Sequence, residues 1–124
     1  MNWIQQTIAE FGQSLGIPGL ALDPDNRLDL AIESGESISI RYLPDLPLKE
    51  VLVSRSKPLA YNRPGQLRRA LRLVDFRLPT GWPVQAALSE DALIFNMRIP
   101  ERSFVLNTLE QAIAQLGEMH KSVD

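Results

Sequence analysis

Hydrophobic and polar residues alternate strictly over two neighbouring stretches of the sequence. In Arg27–Glu33 every second residue is apolar, and the same period-two pattern returns in Glu36–Tyr42. This alternation is typical of a strand with one buried face and one solvated face. Ser34 and Gly35 separate the stretches and favour a turn, because glycine tolerates positive φ. The pattern predicts an antiparallel meander whose apolar face carries Leu28, Leu30, Ile32, Ile38, Ile40 and Tyr42.

Further strands are predicted to extend this meander to about five to six strands: Leu20–Asp23, Lys49–Arg55, Val84–Leu88 and Leu93–Ile99. In Lys49–Arg55, Val51 and Val53 face one side of the strand and Leu52 faces the other. A strand that is apolar on both faces is often covered on both. We therefore expect a helix on one side of this strand and a partner on the other.

Three segments repeat apolar residues at helical spacing instead. Residues 2–15 place Ile4, Ile8, Phe11 and Leu15 on one face, with Trp3 beside them, and Gly16 and Pro18 end this helix. The second helix, about residues 66–76, has the apolar stripe Leu67, Ala70, Leu71 and Val74. The third follows Ser103, a predicted N-cap, with the stripe Val105, Leu109, Ala112, Ile113, Leu116 and Met119.

The order helix, strands, helix, strands, helix predicts an α+β fold. In this fold an antiparallel twisted sheet is flanked by three helices. The 124 residues are enough for one domain, which we expect to span residues 1–124.

Composition excludes several classes of protein. The chain contains no cysteine, which rules out disulfides and thiolate metal sites. No apolar run approaches the roughly 20 residues that cross a membrane. The N-terminal residues lack the basic and apolar regions of a signal peptide. We therefore expect a cytoplasmic protein without a membrane partner.

The net charge of −2 is unevenly distributed along the chain. Between Ser54 and Trp82 there are seven basic residues against one acidic residue, and Arg68, Arg69 and Arg72 lie on the predicted second helix. A nucleic-acid-binding or regulatory domain is one interpretation, because clustered arginines neutralise phosphates. A solvated helix face, or a patch that meets an acidic partner, is favoured, because the acidic remainder of the chain repels a polyanion.

No arrangement of residues indicates catalysis. His120 is the only histidine, close to the C-terminus, and is predicted to lie on the solvated surface. Asp23, Asp25 and Asp29 favour a plain turn, since the loop lacks the central glycine and distal glutamate of a calcium site. The glycines occur singly, so there is no phosphate-binding loop. We predict no catalytic residue, no metal and no cofactor.

Taken in order, these apolar patterns resemble one protein family over nearly the whole chain. The chain is similar to the class I type III secretion chaperones, small acidic bacterial effector chaperones that include the Tir chaperone. The matching patterns are Phe11-x-x-x-Leu15-Gly16-Ile17-Pro18, Leu20-x-Leu22-Asp23, Leu28-x-Leu30-x-Ile32, Leu93-Ile94-Phe95-x-Met97-x-Ile99-Pro100, and a last helix opening near Phe104 with Leu109.

The resemblance implies a homodimer in the bacterial cytoplasm, without enzyme activity or a bound nucleotide. Its cargo is the N-terminal chaperone-binding segment of a secreted effector, held extended before export. The secretion ATPase is a further candidate partner.

The resemblance also implies two sets of site residues. Effector contacts in the family use apolar patches on the first helix and the sheet. Core packing alone explains Trp3 less well than it explains the other apolar residues of this helix, because Trp3 lies near the terminus. The predicted effector-binding residues are therefore Trp3, Ile4, Ile8, Phe11, Leu22, Leu28 and Leu30. The family's dimer uses the second helix and an adjacent strand, which here gives Leu67, Ala70, Leu71, Val74, Val51 and Val53.

Overall fold

The structure, a computed structural model, describes residues 2–32, 35–45, 47, 49–58, 65, 68–70, 84–89 and 92–123. Its strands are Arg27–Ala31 (β1), Ser37–Leu43 (β2), Glu50–Pro58 (β3), Val84–Ser89 (β4) and Ala92–Pro100 (β5). Its helices are Asn2–Ser14 (α1), a helical segment at Gly65 and residues 68–70 (α2), the 3-10 turn Glu101–Ser103 (η1) and Leu106–Val123 (α3). The predicted α+β order of elements is confirmed.

The described strands form one antiparallel sheet in the order β1-β2-β3-β5-β4. Ile40 pairs with Val53, and Val53 pairs in turn with Met97. All three side chains are fully buried. The period-two pattern of the sequence therefore gives the register directly, because a slip by one residue would turn these apolar side chains to solvent.

The helices cover the face of the sheet on which these residues lie. Ile4 and Ile8 of α1, Leu109 and Leu116 of α3, and Ala70 of α2 are buried in a single apolar core. Their spacing of four residues along α1 and seven along α3 puts each pair on one helix face. The core thus lies between one sheet face and the helices.

The predicted strand at Leu20–Asp23 is not formed, since residues 20–23 adopt no strand structure. Side-chain oxygens accept hydrogen bonds from backbone N–H groups in and after this segment instead. The Leu22 N–H donates to Gln5 Oε1 over 3.0 Å, and Asp23 Oδ1 accepts from the N–H groups of Asp25 and Arg27 at 2.8 and 3.0 Å. Such local bonds compete with ladder formation. They make the aspartate cluster a turn, as predicted.

The end of α1 is closed by a glycine in the left-handed region. Gly16 has φ 76°, its N–H donates to the Gln13 carbonyl, and the Ile17 N–H donates to the Gly12 carbonyl over 2.7 Å. This pair of bonds is a Schellman motif. The returning chain passes so close that a Cβ on Gly12 would lie 2.6 Å from both the Ile17 carbonyl oxygen and Leu20 Cβ.

The prediction that Ser103 caps the last helix is wrong. Ser103 lies in η1, and the Leu109 N–H donates to the Val105 carbonyl over 2.9 Å, so α3 begins two residues later than Ser103 would require. Ser103 belongs to the 3-10 turn instead, because the Phe104 N–H donates to the Glu101 carbonyl and closes that turn. Val105 consequently precedes α3 and is not part of its apolar stripe.

The prediction of a solvated His120 is also wrong. Its side chain is 2% exposed, and its Nε2 lies 2.7 Å from the carbonyl oxygen of Arg55. Arg55 follows Val51 and Val53 at period two and therefore lies on the core face of β3. Its Nε bonds Glu36 at 2.8 Å, which gives the core one polar cluster between β3 and α3.

Candidate functional site

An exposed apolar groove lies between the N-terminal half of α1 and the segment that joins η1 to α3. Trp3 is 46% exposed and Val105 is 50% exposed, although both are large apolar side chains. The groove has a volume of about 340 Å³ and is lined by Trp3, Gln6, Thr7, Glu10, Arg102 and Val105. An exposed apolar patch with a polar rim is typical of a binding surface.

Buried hydrogen bonds fix the floor of this groove. The Thr7 hydroxyl, itself buried, donates to the carbonyl of Phe104 over 3.4 Å, and the Phe104 ring is fully buried beneath it. The Tyr42 hydroxyl donates to Glu101 Oε1 over 2.9 Å and holds η1 on the sheet. Burial and the Glu101 carboxylate raise the pKa of Tyr42, so this donor keeps its proton. Val105 is thereby held outward on a rigid support.

The rim of the groove carries one exposed charge of each sign. Arg102 and Glu10 are both exposed. Among the residues that the structure describes, neither side chain makes an ion pair or a hydrogen bond. The arrangement can take up an apolar side chain between Trp3 and Val105 and pair an adjacent carboxylate with the Arg102 guanidinium.

The structure separates the predicted effector-binding residues into three groups. Only Trp3 presents a large exposed surface. Leu28 and Leu30 are half-buried on β1, a strand at the edge of the sheet, and pack against the core. The other four are buried in the core of the protomer: Ile4, Ile8, Phe11 and Leu22. Since α1 has a single apolar stripe and the sheet occupies it, these four side chains have little surface left for a partner.

The family of the chain follows from a match over nearly its full length. The family model described as Type III secretory system chaperone SycN matches residues 3–124. The chain belongs to this family. Among proteins of curated function, no sequence matches significantly.

Three solved structures share the fold of this secretion chaperone. The ExsC–ExsE complex has a TM-score of 0.75 at 18% identity, covering 95% of this chain and 88% of its own. The HopA1–SchA chaperone–effector complex has a TM-score of 0.69 at 16% identity, covering 96% and 91%. The Yersinia pestis type III secretion chaperone SycH, in complex with a fragment of YscM2, has a TM-score of 0.75 at 15% identity, covering 98% and 99%.

The residues predicted to form the dimer interface of the chaperone are not surface residues where the structure describes them. Val51, Val53 and Ala70 are fully buried within the protomer. The remaining three, Leu67, Leu71 and Val74, lie outside the described residues. The other face of β3 carries Leu52 above a shallow polar groove of about 280 Å³. That groove is lined by Arg27, Asp29, Ser37, Ser39, Arg41, Leu52, Ser54, Ser56, Ile94 and Asn96.

The groove residues Arg102 and Val105 were missed by sequence reasoning. Val105 follows helical spacing with Leu109, so it was assigned to the buried stripe of the last helix. The 3-10 turn breaks that spacing. A bulky apolar residue just before a helix is a weak signal, and the sequence does not show that Trp3, about a hundred positions earlier, lies beside it.

The arginine-rich segment of the chaperone is described only in part. Arg68 is exposed, whereas Arg69 Nε donates to the carbonyl of Val123 over 2.6 Å at the end of α3. Arg72 and Arg77 lie outside the described residues. No observation favours the nucleic-acid alternative.

Neither metal ligation nor membrane insertion is indicated in the part of the chaperone that the structure describes. No group of three or more histidine, aspartate or glutamate residues there could hold a metal ion. No described helix combines the length and apolar character that a membrane span needs.

Proposed function

We propose that this secretion chaperone is a single-domain cytoplasmic protein without enzyme activity. It binds the N-terminal segment of a secreted effector in extended form and keeps it competent for export. The observation that carries the proposal is the groove between Trp3 and Val105, with Arg102, unpaired among the described residues, on its rim. Support comes from the family and from relatives of the same fold that were solved as complexes with effectors or other binding partners.

The groove by itself is too small to hold a disordered segment, because burying one side chain gains less free energy than ordering the segment costs. Fully burying one large apolar side chain contributes about 1.5–3 kcal/mol. Ordering a disordered segment opposes binding by at least several kcal/mol, so the segment must make contacts beyond this groove. The edge strand β1 is a second contact region, since among the described strands only β2 pairs with it and an extended segment can add to a free edge.

Limited proteolysis of a client tests the proposal. The client is the secreted protein encoded beside the chaperone gene, purified with and without the chaperone. We expect an N-terminal fragment of the client to resist cleavage only in the complex, without added ATP. Cleavage that is unchanged by the chaperone would contradict the proposed function for that client.

Two groove variants and one control locate the site. Val105→Asp puts a charge into the groove, yet aspartate is a better N-cap than valine and should keep α3 stable. Arg102→Glu reverses the charge of the rim. With either variant, we expect the chaperone concentration that protects the fragment to rise at least tenfold. Leu15→Asp, at an equally exposed apolar residue at the other end of α1, should protect like the wild type.

We also infer that the chaperone is a homodimer and that the loaded complex is delivered to the secretion ATPase. The exposed Leu88 on edge strand β4, 45% accessible, supports an apolar contact with a second copy at that end of the sheet. The contact with the ATPase rests on the family resemblance alone.

A further inference from the structure

One face of α3 meets a single polar residue of β3, Arg55, beside the apolar side chains that pack this helix on the sheet. Ile113, Gly117 and His120 follow one another at spacings of four and three, and all three meet Arg55. Arg55 Nη1 donates to the Ile113 carbonyl over 3.1 Å. A Cβ on Gly117 would lie 2.7 Å from the same Nη1, so the guanidinium rests directly on the helix backbone.

The His120 ring is buried in surroundings that favour its neutral form, although its bond to the Arg55 carbonyl would persist in the protonated form. A carbonyl oxygen can only accept, so Nε2 carries the hydrogen of the 2.7 Å bond to Arg55. The ring meets Phe95 edge-on, with centroids 4.8 Å apart and an angle of 66°. A second proton would go to Nδ1, which makes no hydrogen bond with the described residues. It would also place a charge against an aromatic wall.

The charged groups that face His120 come from β3 and from the segment just before β2. Arg55 and Lys57 on β3 repel an added proton, whereas Glu36, just before β2, attracts it. Burial is the largest effect and outweighs the bond to the Arg55 carbonyl, which favours the proton, so the pKa of His120 lies below its ordinary value of 6.5. From β5 the uncharged Phe95 ring meets the imidazole.

The remaining charges near this end of α3 are farther from the ring. On α3 itself Glu118 and Lys121 are exposed and pair with each other at 3.3 Å. From α2, Arg69 donates to the carbonyl of Val123, one turn beyond His120. The end of α3 therefore joins the sheet to α2.

We propose that the buried His120 ring is a proton-sensitive latch: protonation of the ring releases the C-terminal half of α3 from the sheet. The remainder of the sheet keeps its own pairing, because β2, β3 and β5 do not depend on this contact for their ladders.

The direction of the pH effect follows from linkage. In the open form the ring is solvated and binds a proton with the ordinary pKa of 6.5, whereas in the closed form it binds one only at lower pH. The closed form is therefore fully favoured above pH 6.5. Below that value, down to the pKa of the closed form, the open fraction rises roughly tenfold per pH unit.

Hydrogen exchange on the full-length protein measures this opening. Exchange is followed by mass spectrometry between about pH 7.5 and about pH 5, and each rate is divided by the intrinsic chemical rate at that pH. Peptides covering residues 113–123 are expected to lose protection roughly tenfold per pH unit below the pKa of the open form. Peptides from β2 and β5 should keep their protection. Equal loss in all peptides would overturn the proposal, because it would indicate global unfolding.

Two variants assign the effect to the ring. His120→Gln retains an N–H that can reach the Arg55 carbonyl but does not titrate in this range, so its corrected exchange should be independent of pH. Lys121→Gln, at an exposed neighbouring residue, should follow the wild type. If His120→Gln keeps the wild-type pH dependence, the latch is elsewhere.

An NMR titration provides a second measurement that does not depend on the His120 variant folding. The chain has one histidine, so its imidazole signal needs no assignment among others. We expect it to titrate below 6.5, the ordinary value. Glu36→Gln should lower that midpoint and Lys57→Gln should raise it, because they remove opposite charges. A midpoint at or above the ordinary value, or shifts of opposite sign, would overturn the proposal.

Discussion

Arg55 shows how a single polar residue is accommodated on an apolar sheet face. Its neighbours at period two, Val51 and Val53, are fully buried, and Arg55 itself is mostly buried in an ion pair with Glu36. A buried charge is stable only when its partners are in place. Glu36 supplies the opposite charge, the Ile113 carbonyl accepts a bond, and the missing side chain of Gly117 leaves the space.

Arg69 is the arginine whose observed environment differs most from the predicted one. The favoured interpretation of the sequence placed the arginines of the second helix on a solvated face or on a patch that meets an acidic partner. The bond from Arg69 Nε to the Val123 carbonyl instead links α2 to the last turn of α3, where a cation also interacts favourably with the helix dipole. Arg69→Ala should lower the free energy of unfolding by about 1–2 kcal/mol.

Chemical denaturation of matched variants checks this expectation. Arg68→Ala, at the exposed neighbour, removes the same type of side chain without that bond and should change the unfolding free energy by less than about 0.5 kcal/mol. Equal unfolding midpoints for the two variants would show that the Arg69 bond does not contribute to stability.

At the scale of the element, α1 is defined by its C-terminal end as much as by its stripe. The Schellman motif at Gly16 turns the chain back, and residues 20–22 then pass alongside Gly12. The glycine inside the helix is needed because of this close approach and not because of its backbone conformation. The same turn delivers Leu22 to the core, where Gln5 fixes its backbone.

Gly12→Ala is therefore expected to destabilise the protein although alanine favours helix. Helix propensity would contribute about 1 kcal/mol in favour of alanine. The new methyl group, however, would stand 2.6 Å from the backbone oxygen of Ile17, which cannot move aside as a side chain can. We expect a net loss of about 1–2 kcal/mol in the free energy of unfolding.

Thermal unfolding compares Gly12→Ala with a control on the same helix. Gln13→Ala replaces an exposed side chain and should leave the melting temperature unchanged or slightly raised. If Gly12→Ala also raised the melting temperature, the helix end would be able to shift, and the close approach would not constrain α1.

At the scale of the whole molecule, hydrophobic periodicity was sufficient to predict a strand wherever one face of that strand is buried and the other is solvated. The strands around Ile40, Val53 and Met97 were predicted and confirmed, because alternation states both the face and the register. It failed where a polar side chain finds its partner far away in the chain. Nothing near His120 in the sequence indicates that Arg55 lies opposite it.

The candidate binding site was predicted even less completely than the fold. The exposed Trp3 was selected, but so were side chains that the sheet occupies, such as Ile8. An apolar stripe says that a helix packs against something and does not say what. The groove depends on Val105 and Arg102, whose positions are set by η1, and a one-turn 3-10 helix leaves no periodic signal in a sequence.

The predicted homodimer is tested by light scattering after size exclusion, at micromolar concentration. We expect a mass twice that of the chain. Leu71→Glu, on the predicted second-helix stripe, should give monomer or aggregate, because an unpaired charge in a buried interface is strongly unfavourable. Leu88→Glu tests the end of the sheet at β4 in the same way. A monomeric wild-type protein would contradict the dimer, and a dimeric Leu71→Glu protein would place the interface away from that helix.

The strand order has a consequence for how the chain acquires its structure during synthesis. The central ladder joins β3 to β5, from Glu50 opposite Pro100 to Pro58 opposite Ala92, so it cannot form until the long connection between these strands has closed. Such remote pairing is slow. Because α1 leaves the ribosome before β5 and α3, its apolar stripe cannot be fully buried until most of the remaining chain has been synthesised. A nascent chain stalled within that interval would expose Ile4 and Ile8 and be prone to aggregation.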